Sequence, residues 1–107
     1  LEVKNGEVSL GITFANDYLE ALGREMASRL PGAYGPINFQ LFHDESKGAP
    51  SPQSIFITDL NPRFGGGYPL VHKAGGHFVN WLLAEAKNKD LPDSAGLWKN
   101  NCLWKRG

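Results

Sequence analysis

Hydrophobic and polar positions alternate in short blocks whose period changes along the chain. "VKNGEV" sets Val3 and Val8 on either side of Asn5-Gly6, a pair that tolerates the positive φ of a tight hairpin turn. "VSLGITF" continues as strand. Asn16 then offers a helix cap, with Asp17 and Glu20 in the first turn, and Leu19, Leu22, Met26 and Leu30 recur at helical spacing on one face. Glu20 and Arg24 are expected to pair across one turn of its solvated face. Pro31 and Gly32 stop the helix. In "INFQLF", Ile37, Phe39 and Leu41 share one strand face and Asn38, Gln40 and Phe42 the other. A polar loop, "HDESKGAPSPQS", precedes a second strand, "SIFITDL". After "FGGGYP", residues 70 to 87 read as helix, broken at Gly75-Gly76, with Phe78, Leu82, Leu83 and Ala86 as the buried stripe. The segment beyond Asn88 is turn-rich, and Trp98 and Trp104 within it call for a partner surface. These blocks predict an α+β fold, a mostly antiparallel sheet with helices on one face.

The chain has 107 residues, the size of one domain with a modest core. Eleven basic and eleven acidic residues cancel, so composition gives no reason to expect nucleic acid or a membrane surface as partner. No apolar run approaches the roughly 20 residues of a membrane span. The single cysteine, Cys102, allows no internal disulfide and fits a cytoplasmic location. The chain begins at Leu1 and ends on "LWKRG", and is read as a piece of a longer polypeptide.

The chemistry concentrates in "ITDLNPRFGGGYPL". Alternation on a strand would point Asp59, Asn61 and Arg63 the same way. A carboxylate and an amide oxygen are hard ligands suited to Mg²⁺, and an arginine beside them can grip a phosphate with two hydrogen bonds. Gly65, Gly66 and Gly67 would let the backbone approach a ligand closely. Gln40 lies on the polar face of the preceding strand, and its amide oxygen could reach the same metal if the two strands pair. Taken singly, each feature has a plainer reading. Gln40 suits a solvated sheet face, "NPRFGGG" suits a strand exit and turn, and His43-Asp44-Glu45 suits a solvated loop. His72 suits a helix surface, His77 a helix start, and Cys102 a structural role. The weight lies in the joint placement of Gln40, Asp59, Asn61 and Arg63.

That joint pattern, "INFQLF … SIFITDLNPRFGGGYPLVHKAGG", resembles the C-terminal lobe of ATP-grasp enzymes, in particular the group around the carbamoyl-phosphate synthase large subunit. Gly35, Asn38, Gln40, Asn61, Pro62, Arg63, Gly66, Ala74 and Gly75 match in order and placement over residues 3 to 87. The resemblance implies an ATP-grasp lobe over residues 1–90 followed by a tail, 91–107. It implies that Asp59 and Asn61 hold Mg²⁺ (or Mn²⁺) on ATP phosphates, with Gln40 as a further metal ligand. Arg63 would contact the phosphates and stabilise the transferred group, with Gly65 and Gly66 beside the nucleotide. Such enzymes phosphorylate a small-molecule carboxylate to an acylphosphate, which an amine or ammonia attacks. The chain departs from the family pattern in two ways. Asp59 stands where glutamate is usual, which puts a bridging role between two metals in doubt. The other lobe, with its glycine-rich loop and lysines, has no counterpart here, so a further part of the same protein is the expected partner and the fragment is expected to be inactive alone. A homo-oligomer is left open. The rival expectation is a non-catalytic interaction or regulatory module derived from such a lobe, and a third is a simple phosphate binder using the glycine loop.

Overall fold

A computed structural model describes residues 1–91 and 98–105; the turn-rich reading of 92–97 lies outside them. The fold is α+β. Its strands are β1 (Glu2–Lys4), β2 (Glu7–Ile12), β3 (Asn38–His43), β4 (Ile55–Asn61) and β5 (Leu103–Lys105). Its helices are α1 (Asp17–Ser28), α2 (Tyr68–Lys73) and α3 (Phe78–Ala86). All strand pairing is antiparallel, divided between a three-stranded sheet in the order β1-β2-β5 and a two-stranded sheet of β3 and β4. The chain forms two units, one of residues 1–14 and 65–107, the other of residues 15–64.

In the first unit, β1 and β2 are joined by the expected turn, with Asn5 and Gly6 at φ 53° and 77°. The segment set apart in sequence as a tail supplies β5, which pairs with β2 through Leu10↔Lys105, Gly11↔Trp104 and Ile12↔Leu103. Thr13 fastens this return. Its hydroxyl donates to Lys99 O at 2.6 Å and accepts from Cys102 N at 2.8 Å, while its backbone exchanges bonds with Cys102 and Asn101. Trp104 thus lies in a strand pair and Trp98 is half-buried within the unit. The helical stretch after the glycines breaks at 74–77, as the glycine pair foretold. Gly76 is required there, because a Cβ would lie 2.6 Å from Val71 Cγ1 and 3.1 Å from Val71 O. Leu70 and Ala74 of this stretch are buried. The stripe expected on α3 is rotated. Trp81, Leu82, Ala84 and Glu85 are half-buried, whereas Phe78, Leu83 and Ala86, expected in the buried stripe, are exposed. The bulk of Trp81, edge-on to Phe78 at 4.9 Å between ring centres, takes the inward position assigned to smaller side chains.

In the second unit, Asn16 caps α1 by accepting from Leu19 N at 3.0 Å. Leu19, Leu22, Met26 and Leu30 are half-buried, as their spacing requires. The pair formed at i,i+4 is Glu25–Arg29 at 2.8 Å, one turn beyond the expected Glu20–Arg24. His43 and Asp44 serve the loop. The His43 Nε2 lies 2.9 Å from Gly48 O, and Asp44 caps a 3-10 turn over Glu45–Lys47. Ser54, fully buried, ties this loop with its hydroxyl donating to Ala49 O at 2.9 Å and accepting from Ser51 N. Ile55 beside it is the buried apolar anchor of the hairpin.

Candidate functional site

The register of β3 on β4 decides which side chains share a face. Asn38 lies opposite Asn61, Phe39 opposite Leu60 and Gln40 opposite Asp59. The register then slips, and Leu41, Phe42 and His43 face Ile57, Phe56 and Ile55. Thr58 is left without a partner and forms a bulge on β4. In an unbroken strand, Ile55, Ile57, Asp59 and Asn61 would all share one face. The extra residue shifts the alternation by one. Ile55, Ile57 and Leu60 therefore join Phe39 and Leu41 on one side. Asp59 and Asn61 stand with Asn38 and Gln40 on the other, followed by Phe42 and Phe56.

Directly opposed side chains in an antiparallel pair have Cβ atoms about 4.5–5.5 Å apart. Gln40 and Asp59 form such a pair, as do Asn38 and Asn61, so a carboxylate and three side-chain amides cluster at one end of the hairpin. Asp59 is held locally. Its Oδ1 accepts from Leu60 N at 2.9 Å and its Oδ2 from Asn61 Nδ2 at 2.9 Å. With its amide nitrogen on Asp59, Asn61 keeps its own side-chain oxygen free of that bond. Gln40 and Asp59 are exposed and Asn61 half-buried, so the patch is accessible. Asn38 is the member that motif reading passed over as a ligand, although it lies on the same face as Gln40.

Arg63 stands outside this alternation. β4 ends at Asn61, residues 62 and 63 form a bend, and the Arg63 guanidinium donates from Nη1 to Phe64 O at 2.9 Å. The spacing argument that aligned it with Asp59 and Asn61 therefore applies only to the latter two. Gly65 and Gly66 open the second segment of the first unit. Gly65 O accepts from Tyr68 N at 3.0 Å as the chain enters α2. Neither adopts left-handed backbone, and a Cβ on Gly66 would make an ordinary contact with Val8 at 3.4 Å. The packing around Gly66 does not demand its small size.

The donor set fits Mg²⁺ in one respect and falls short in another. Carboxylate and amide oxygens are the hard ligands Mg²⁺ takes, and it commonly binds through one or two carboxylates completed by phosphate oxygens and water. One carboxylate with neutral amides suits a single Mg²⁺ brought by a phosphate better than two bridged ions. Among the described residues no group of three or more His, Cys, Asp or Glu side chains gathers to hold a metal by itself. No helix among them is long and apolar enough to cross a membrane.

His72 and His77 show no ligand spacing but come together in the first unit, with ring centres 4.6 Å apart. The Tyr68 hydroxyl lies 3.3 Å from His72 Nδ1, donates to Gly76 O at 3.3 Å and accepts from Val79 N at 3.2 Å. This hydroxyl fixes the turn between α2 and α3. Nothing in the spacing of Tyr68, His72 and His77 announced the grouping, because the helix break creates it. Comparison with known proteins finds no matching protein-family model, no matching curated protein and no matching solved structure.

Proposed function

We propose that the chain supplies one wall of a Mg²⁺-ATP site in a cytoplasmic ATP-grasp ligase. In that enzyme a carboxylate is phosphorylated to an acylphosphate and then captured by an amine or ammonia. The single observation that supports this reading best is the pairing of Gln40 with Asp59, with Asn61 bonded to Asp59 on the same face. Mg²⁺, when bound with ATP, would neutralise phosphate charge during transfer. Asp59 provides the one anionic ligand, and Gln40 and Asn61 provide neutral oxygens beside it. Arg63 donates hydrogen bonds to phosphate oxygens after its guanidinium leaves Phe64 O, a single exposed bond that costs little to break. The other lobe of the protein closes the site, since positioning catalysis needs both sides of the phosphates.

In the complete ligase, Asn61→Ala is expected to cut ATP hydrolysis by about 10²-fold or more with the fold intact, the scale of losing one well-placed transition-state contact. Activity within a few-fold of the parent would refute the ligand role. A second reading, an interaction module, draws on the exposed apolar side chains of the hairpin, Phe42 at 61% and Phe56 and Ile57 at 46%. Trp98 and Trp104, which that reading would take as its partner surface, speak less strongly for it, because both are half-buried in the first unit.

A further inference from the structure

The first unit carries a half-open cavity of about 350 Å³ lined by Phe14, Phe78, Trp81 and Trp98, with Val71 and Ala74 among its aliphatic lining. That volume lies at the lower end of small-molecule pockets. The walls are fixed by backbone bonds. Lys99 N donates to Ala74 O at 2.7 Å, and the Thr13 hydroxyl binds residues 99 and 102. The polar groups at the lining glycines are spent as well. Gly75 N donates to His72 O, Gly76 N to Val71 O, and Gly76 O accepts from Phe78 N and the Tyr68 hydroxyl. What a guest meets is mostly ring faces and methyl groups. Phe14 and Phe78 stay 58% and 43% exposed, apolar surface that a guest would cover.

Aromatic walls accept either a cation or another ring. The charge around the cavity separates the two. Lys73 and Lys99 each adjoin a lining residue in sequence and are exposed, the Lys73 ammonium donating to Leu103 O at 3.0 Å, and no described carboxylate adjoins one. A cationic guest would meet like charge, whereas an anionic ring would meet opposite charge. We infer that this cavity binds a small aromatic carboxylate of one or two rings, its ring against the tryptophans and its carboxylate toward Lys99. The inference concerns the first unit alone and needs neither Mg²⁺ nor nucleotide.

The test is a ¹H–¹⁵N NMR titration of the 107-residue chain with sodium 1-naphthoate, without Mg²⁺ or ATP. The neutral 1-naphthalenemethanol and the cation tetramethylammonium serve as comparisons. The expected result is saturable shifts of the Gly75 and Gly76 amides and of the Trp81 and Trp98 indole N–H groups. Val71→Phe, which fills the cavity from a partly exposed position, should weaken naphthoate about tenfold or more. Lys99→Gln should weaken naphthoate about threefold and leave the neutral alcohol unchanged. Shifts centred elsewhere, no saturation, equal affinity for the alcohol, or tighter binding of tetramethylammonium would overturn the inference. Should Val71→Phe fail to fold, the Lys99→Gln comparison decides.

Discussion

Asp59 owes its orientation to two hydrogen bonds, one from the next backbone N–H and one from the Asn61 amide. Both are exposed, so they position the carboxylate more than they stabilise the fold. Other single residues carry stability. Replacing Asn16 by Ala removes the cap of α1 and should cost about 1 kcal/mol, read from urea unfolding. Asp44 reports pH. The Ser46 hydroxyl at 2.6 Å, with the Ser46 N–H at 3.1 Å, favours its charged form and holds its carboxyl below the usual aspartate value. A depressed folded value means that its contribution is present above the ordinary aspartate pKa and is lost as pH falls through the folded value. Ser46→Ala should move the Asp44 titration upward, toward the ordinary value, as followed by carboxyl NMR shifts. An unchanged titration would remove Ser46 as the main cause. At this scale the gathering of Gln40, Asp59 and Asn61 was legible in the sequence, since all three are oxygen donors near facing strand ends. The self-bonded state of Arg63 was not, because a local guanidinium–carbonyl bond leaves no pattern in residue spacing.

Between residues and the whole stands the hairpin of β3 and β4, whose working part is the bulge at Thr58. Strict alternation cannot place Ile55 and Ile57 on one face and Asp59 on the other. One extra residue can, and it explains how "IFITDLN" serves an apolar face and a polar one together. Deleting Thr58 should leave an unbroken strand with Ile55, Ile57 and Leu60 still on one face and Asp59 and Asn61 still on the other, and so keep the cross-strand pairs of the parent. The check is the cross-strand NOEs: survival of both the Gln40–Asp59 and the Leu41–Ile57 pairs is expected, and loss of either would contradict the assignment of Thr58 as the extra residue. The hairpin turn at Asn5-Gly6, the cap at Asn16 and the break at Gly75-Gly76 were legible because each rests on local backbone chemistry. The bulge was not, because it depends on which residues of the other strand lie opposite. The rotated stripe of α3 escaped for a similar reason, since the bulk of Trp81 competes with helical spacing. The strand β5 escaped because its three residues gain order only by pairing with β2.

For the molecule as a whole, the described apolar core is small. Ile55, Leu70 and Ala74 are its buried apolar side chains, divided between the two units. The two sheets give it α+β architecture, and the ligase reading asks one of them, the hairpin, to present oxygens to a metal. The most direct test is paramagnetic line broadening in NMR spectra of the chain titrated with Mn²⁺, which stands in for Mg²⁺, in the presence of ATP. The account predicts broadening centred on residues 38–41 and 59–63, abolished by Asp59→Asn with the remaining spectrum unchanged. Broadening centred instead on the Asp44–Glu45 loop, or unaffected by Asp59→Asn, would contradict it.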